Sequence, residues 1–171
     1  MSLSLGATVA ALLGLGLPAL ADEITVRVHA VSESGVGADV GSVRFADGPY
    51  GLSIEPALAG LSPGLHGAHI HQNPACGPSE KDGAAVAGGA AGGHYDPKGT
   101  GRHAGPFGDG HLGDLPNLVV EAGGAATMPV VAPRLGVAAL VGRALIVHGG
   151  PDRYADDRDK GGTRAYCGVI R

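Results

Sequence analysis

The chemistry legible in this chain lies in histidines and one aspartate spaced without repetition. His69-Ile70-His71, His94, His103, His111 and Asp114 fall in one stretch, and His148 ends the apolar run Ala144-Leu145-Ile146-Val147. A neutral imidazole offers one lone pair while a partner holds its other nitrogen, which makes histidine the commonest metal ligand. An H-x-H pair on a strand points both rings to one face, because side chains alternate with period two. The later histidines sit in Gly- and Pro-rich sequence, from Gly92-Gly93-His94-Tyr95-Asp96-Pro97 to Gly110-His111-Leu112-Gly113-Asp114-Leu115-Pro116. Such a stretch has no apolar face to bury, so a metal is the natural source of its order. A loose His-rich sequestering tract is the competing reading. Irregular spacing, with an aspartate three residues after a histidine, favours a defined site.

The elements that must position these residues are strands. From Asp22 onward the apolar period is two, as in Ile24-Thr25-Val26-Arg27-Val28 and Val43-Arg44-Phe45. Further runs cover Tyr50 to Ile54, Leu65 to His71, Leu118 to Glu121, Thr127 to Val131, Ala144 to His148 and Ala165 to Ile170. Ser62-Pro63-Gly64 marks a turn, and Gly123-Gly124 marks a hairpin turn. One helical turn is expected around Leu135 to Leu140. About eight short strands with two long loops, 72–115 and 149–163, predict an all-β antiparallel sandwich or flattened barrel. Loops that long are usually functional.

At 171 residues the chain predicts one domain with a real core. Its net charge of −4 and lack of a basic run exclude nucleic acid as a partner class. Residues 1–21 are uncharged and mostly apolar, ending Ala19-Leu20-Ala21. They read as a signal peptide cleaved before Asp22, although the n-region carries no Lys or Arg. The mature form, 22–171, is then exported and free of the membrane. In an exported protein the two cysteines, Cys76 and Cys167, read as a disulfide rather than free thiols or metal ligands.

With ligands, cysteines and strands in place, the chain resembles a copper-zinc superoxide dismutase of the bacterial, periplasmic type. The matching segments are Gly64-Leu65-His66-Gly67-Ala68-His69-Ile70-His71, the two Gly-rich segments above, Val147-His148 and Arg164-Ala165-Tyr166-Cys167-Gly168-Val169-Ile170. The resemblance implies an eight-stranded Greek-key β-barrel. It implies copper on His69, His71, His94 and His148, and zinc on His94, His103, His111 and Asp114. His94 would bridge the two metals. The split suits the ligands, since three imidazoles and a carboxylate make a closed tetrahedral zinc site, whereas four imidazoles suit copper. The implied reaction is disproportionation of superoxide to oxygen and hydrogen peroxide, with copper cycling and His94 as a reusable acid and base. Arg164 matches the family's active-site arginine, which would attract and orient the anion.

The resemblance also assigns Asp152 as the carboxylate linking a copper histidine to a zinc histidine, and His66 as a brace that binds no metal. His29 matches no role. Two departures stand out: the loop between His148 and Arg164 is about three residues shorter than in bacterial members, and Ala68 stands where the family usually carries phenylalanine. The competing function is a non-catalytic periplasmic copper-binding or buffering protein on the same fold. The resemblance implies a monomer or a homodimer.

Overall fold

The computed structural model describes residues 22–156 and 162–171; the expected leader, 1–21, lies outside the described residues. The fold is an all-β Greek-key barrel of curled antiparallel sheet. Its strands are β1 (Glu23–Ser32), β2 (Gly35–Gly48), β3 (Gly51–Leu58), β4 (Gly64–His66), β5 (Ala68–His71), β6 (Ser79–Lys81), β7 (Ala84–Val86), β8 (Leu118–Val120), β9 (Val130–Ala132), β10 (Arg143–His148) and β11 (Arg164–Ile170). Seven of them form one sheet in the order β5-β10-β11-β1-β2-β3-β9, while β4 pairs with β8 and β6 with β7. The expected helical turn appears as a 3-10 turn, Val137–Ala139.

More strands appear than the eight expected from the sequence, for two local reasons. The run from Leu65 to His71 breaks at Gly67, so that β4 faces β8 while β5 faces β10. The extra hairpin β6–β7 lies inside the first long loop, in sequence without apolar alternation. The Gly123-Gly124 turn forms, with Gly124 N–H donating to the Glu121 carbonyl at 2.9 Å. It does not make a hairpin of its flanking strands, because β8 pairs with β4 and β9 with β3.

Period-two alternation builds the core. Val26 and Val28 on β1, Val43 and Phe45 on β2 and Leu52, Ile54 and Leu58 on β3 are all buried. Each such side chain contributes roughly 1.5–3 kcal/mol when fully buried. On β10, Leu145 and Val147 join this core, whereas Ala144 and Ile146 belong to a second cluster with Ala91 and Cys167. The register carries the same division onto β5. His69 pairs with Ile146 and His71 with Ala144, on the outer face, while Ala68 and Ile70 line the core opposite Val147 and Leu145. Ala68 is fully buried. His29 sits on β1, its Nε2 3.8 Å from Asp39, away from the histidine cluster.

A candidate binuclear metal centre

Strand β5 is an edge strand, and the first long loop covers that edge. Tyr95 N–H donates to the Ile70 carbonyl at 2.8 Å, Ile70 N–H to Gly113 at 2.8 Å and Leu115 N–H to Ala68 at 3.2 Å. The result sets Asp114 beside His69 and His94 beside His71. Gly113 permits the approach, since a Cβ there would lie 2.2 Å from the Ile70 carbonyl oxygen. His148 ends β10, and its Cα partner on β11 is Arg164. The metal-site residues expected from the sequence therefore converge on one outer face of the barrel.

Two groups of ligand atoms result, each with all members within 4.8 Å of one another: His69, His71, His94 and His148, and His69, His94, His103 and Asp114. His111 stands beside the second group. Around Asp114 Oδ1 lie His94 Nδ1 at 3.0 Å, His103 Nδ1 at 3.0 Å and His111 Nδ1 at 3.4 Å. A tetrahedron with bonds of ~2.0–2.1 Å has edges of ~3.3 Å, and the three distances from Asp114 Oδ1 lie close to that edge. Several nitrogens facing the centre are buried without a hydrogen-bond partner: Nδ1 of His69, His103 and His111, and Nε2 of His71 and His148. A buried polar atom left unpaired is costly, so the donor set fits cations.

Most of these rings are fixed through their other nitrogen. His69 Nε2–H donates to Asp152 Oδ2 at 2.7 Å, and His103 Nε2–H donates to the same carboxylate at 2.8 Å. His71 Nδ1–H donates to the Gly92 carbonyl at 3.0 Å, and His148 Nδ1–H to Gly162 at 2.9 Å. Partners of this kind orient a ring and select the nitrogen left for metal. Asp152 is buried and its carboxylate joins His69 to His103. His66 is a buried brace, with Nδ1 2.6 Å from the His148 carbonyl and Nε2 2.7 Å from that of Ser62. Asn117 was missed at the level of sequence; its side chain donates to the Asp152 carbonyl at 2.9 Å and accepts Asp152 N–H at 2.8 Å.

Burial lowers the pKa of His69 to about 3 and of His148 to about 4, and pushes His71 well below its ordinary value. The lone pairs of these three rings are thus free at neutral pH. Burial also lowers His94, against the pull of Asp114. His103 differs: burial opposes its charge, but Asp114 and Asp152 outweigh burial and raise it to about 9. Burial likewise opposes ionisation of Asp114 and Asp152, yet His103 leads the bonds that hold both well below the usual carboxylate range.

The centre opens through a recess lined by His71, His94, His148, Arg164 and Lys81, among others. Arg164 donates to the Gly88 carbonyl at 2.8 Å and to Gly92 at 2.7 Å. The Gly92 oxygen therefore registers the guanidinium against His71. The loop that carries these carbonyls is tied to β11 by the Cys76–Cys167 disulfide, with Cα atoms 5.6 Å apart. Lys81 ends β6 and enters the recess only because the unanticipated β6–β7 hairpin folds there. Of the second long loop, 157–161 lie outside the described residues.

A Greek-key barrel with two histidine-rich clusters fused on its outer face defines a binuclear metalloprotein of the all-β class. Comparison with known proteins makes this specific. The family described as Copper/zinc superoxide dismutase (SODC) matches residues 40–170. The chain is 48% identical over 162 residues to "Superoxide dismutase [Cu-Zn]" of Photobacterium leiognathi, covering 92% of each. It is 46% identical over 160 residues to that of Brucella abortus, covering 91% of this chain and 92% of the relative. Among solved structures, the Cu/Zn superoxide dismutase from Brucella abortus matches with a TM-score of 0.85 at 45% identity, over 88% of this chain and all of that one. The monomeric copper, zinc superoxide dismutase from Salmonella enterica gives a TM-score of 0.79 at 48% identity, again over 88% of this chain. The chain belongs to the copper/zinc superoxide dismutase family, and it is an enzyme that uses copper and zinc to disproportionate superoxide.

Proposed function

We propose that His69, His71, His94 and His148 hold copper, and that His94, His103, His111 and Asp114 hold zinc. The observation that carries the zinc set is the convergence of three histidine Nδ1 atoms on Asp114 Oδ1. His69 also lies near that group, but its Nε2 is committed to Asp152, which leaves Nδ1 for one metal only. His94 alone belongs to both sets. Its Nδ1 faces Asp114, so its Nε2 is the nitrogen left for copper.

When bound, copper supplies a carrier that accepts one electron from a first superoxide and passes it to a second, while zinc supplies fixed charge. The chain's residues do the rest. His94 holds a proton on Nε2 in one half of the cycle and gives it up as the second anion becomes peroxide. Arg164, pinned by two carbonyls, attracts and orients superoxide at the mouth of the recess. Its charge matters because the chain as a whole carries −4. Lys81 adds positive charge to the same recess. Asp152 keeps the Nδ1 atoms of His69 and His103 aimed at their metals.

We propose further that 1–21 is a cleaved leader, that 22–171 is the catalytic domain, and that the mature enzyme works in the periplasm. The apolar composition of 1–21 and the disulfide support this reading. Among the described residues no helix is long and apolar enough to cross a membrane. The protein acts as a monomer or a homodimer. Metal analysis tests the ligand sets. The wild type should hold one copper and one zinc, His111→Ala should lose zinc first, and His71→Ala should lose copper first. Equal loss of both metals in both variants would contradict the assignment.

A further inference from the structure

One buried-end arginine outside the recess has no part in the reaction as described. Arg134 follows β9, between the buried residues Ala132 and Leu135, and so belongs to the barrel frame rather than to either long loop. Its guanidinium reaches the first loop and donates to four backbone carbonyls. Nε donates to Pro106 at 2.9 Å, Nη1 to Gly110 at 3.1 Å, and Nη2 to Gly105 at 3.0 Å and His111 at 2.6 Å. Arginine has five N–H donors in a planar fork, and all four contacts converge on one loop.

The four carbonyls flank the turn between His103 and His111. Gly105, held at its carbonyl, donates its own N–H to Asp114 Oδ2 at 3.2 Å. His111, likewise held at its carbonyl, donates its N–H to the Arg102 carbonyl at 2.8 Å. One guanidinium thus fixes the backbone of one histidine and, through Gly105, the carboxylate those histidines face. Gly105, Pro106 and Gly110 are buried, so their carbonyls need partners. The loop itself offers only a long one, from Gly108 N–H to the Gly105 carbonyl at 3.4 Å, among the backbone bonds of the described residues.

We infer that Arg134 is a positioning residue for zinc: it orders the loop carrying His103, His111 and Asp114 before the metal arrives, which makes zinc binding tighter than the ligands alone provide. This rests on the zinc set proposed above. The physical reason is that ordering a flexible backbone segment costs conformational entropy at every residue fixed. A loop already held by four hydrogen bonds has met much of that cost before binding. Of the proposed copper ligands His69, His71 and His148 lie on strands, and the four Arg134 bonds reach neither these nor the segment around His94, so copper should be indifferent to it.

The test uses the full mature chain, stripped of metal, with wild type, Arg134→Met and Arg134→Lys. Zinc affinity is measured by chelator competition, copper affinity separately, and Co(II) absorption reports the geometry of the zinc position. Arg134→Met should weaken zinc by about 10- to 100-fold, the range for lost partners of metal ligands. Copper affinity should stay within about twofold, and the Co(II) spectrum should change. Arg134→Lys, with one ammonium for four carbonyls, should fall between, and carries the test if Arg134→Met does not fold. Zinc affinity within about twofold of wild type in a folded variant overturns the proposal, as does parallel loss of copper and zinc. His111→Ala is the control: if it binds zinc as wild type does, the ligand set fails, whatever Arg134 does.

Discussion

Replacing Cys76 and Cys167 together should cost both stability and speed, by separable amounts. Alanine is the right substitute, because Cys167 is fully buried and alanine adds no polar group there. The cysteines are 91 residues apart, and for a loop of that size the chain-entropy model gives about 4–5 kcal/mol of destabilisation at 25 °C. Residual order in the unfolded chain reduces the effect, so urea unfolding of the metal-free protein should show a loss of roughly 2–4 kcal/mol. The disulfide also anchors the loop whose Gly88 and Gly92 carbonyls hold Arg164. Once that anchor is cut, the guanidinium samples more orientations, and the second-order rate with superoxide should fall even when both metals are bound. Urea titration and stopped-flow decay of superoxide, on matched metal-loaded samples, read the two effects. A double variant less than about 1 kcal/mol destabilised, with an unchanged rate, would refute the reasoning.

Arg164→Glu should leave both metals bound and lower the second-order rate by at least about tenfold, with Arg164→Lys much milder; the wild-type rate should fall as salt rises. Asp152→Asn leaves one acceptor for two imidazole N–H donors, so affinity for both metals should fall by about 10- to 100-fold, read by chelator competition. In the metal-free protein, His69 and His148 have folded pKa values of about 3 and about 4, below the ~6.5 of an unfolded histidine. The unfolded state then binds more protons, so stability should decline as pH falls below about 6.5. His103, raised to about 9, works in the opposite sense: its contribution is present below about 6.5 and is lost as pH rises toward 9. Thermal melts of the metal-free chain should therefore peak near neutral pH, and a melt that rises steadily toward pH 4 contradicts this.

The candidate metal site was legible because coordination chemistry restricts residue types and an H-x-H pair on a strand fixes two directions at once. Period two gave the barrel class for the same reason, as on β1 and β10. Less regular features were hidden. Strand β2 is longer than its apolar pattern, since Gly35 and Gly41 carry no alternation signal yet pair in register with β1 or β3. The hairpin of Ser79–Lys81 with Ala84–Val86 has weak strand propensity and is placed by tertiary contacts. Lys81 in the recess, Asn117 behind Asp152 and Arg134 behind the zinc loop each depend on contacts between distant segments. No local spacing encodes those.

The two fused clusters make a catalyst rather than a copper store. The most direct measurement is superoxide decay after a pulse, with the mature protein loaded with copper and zinc beside the same protein loaded with zinc alone. Repeated turnover at a second-order rate approaching the diffusion limit is expected in the first sample and none in the second. A fully loaded copper-zinc protein that consumes no superoxide beyond one equivalent would contradict it.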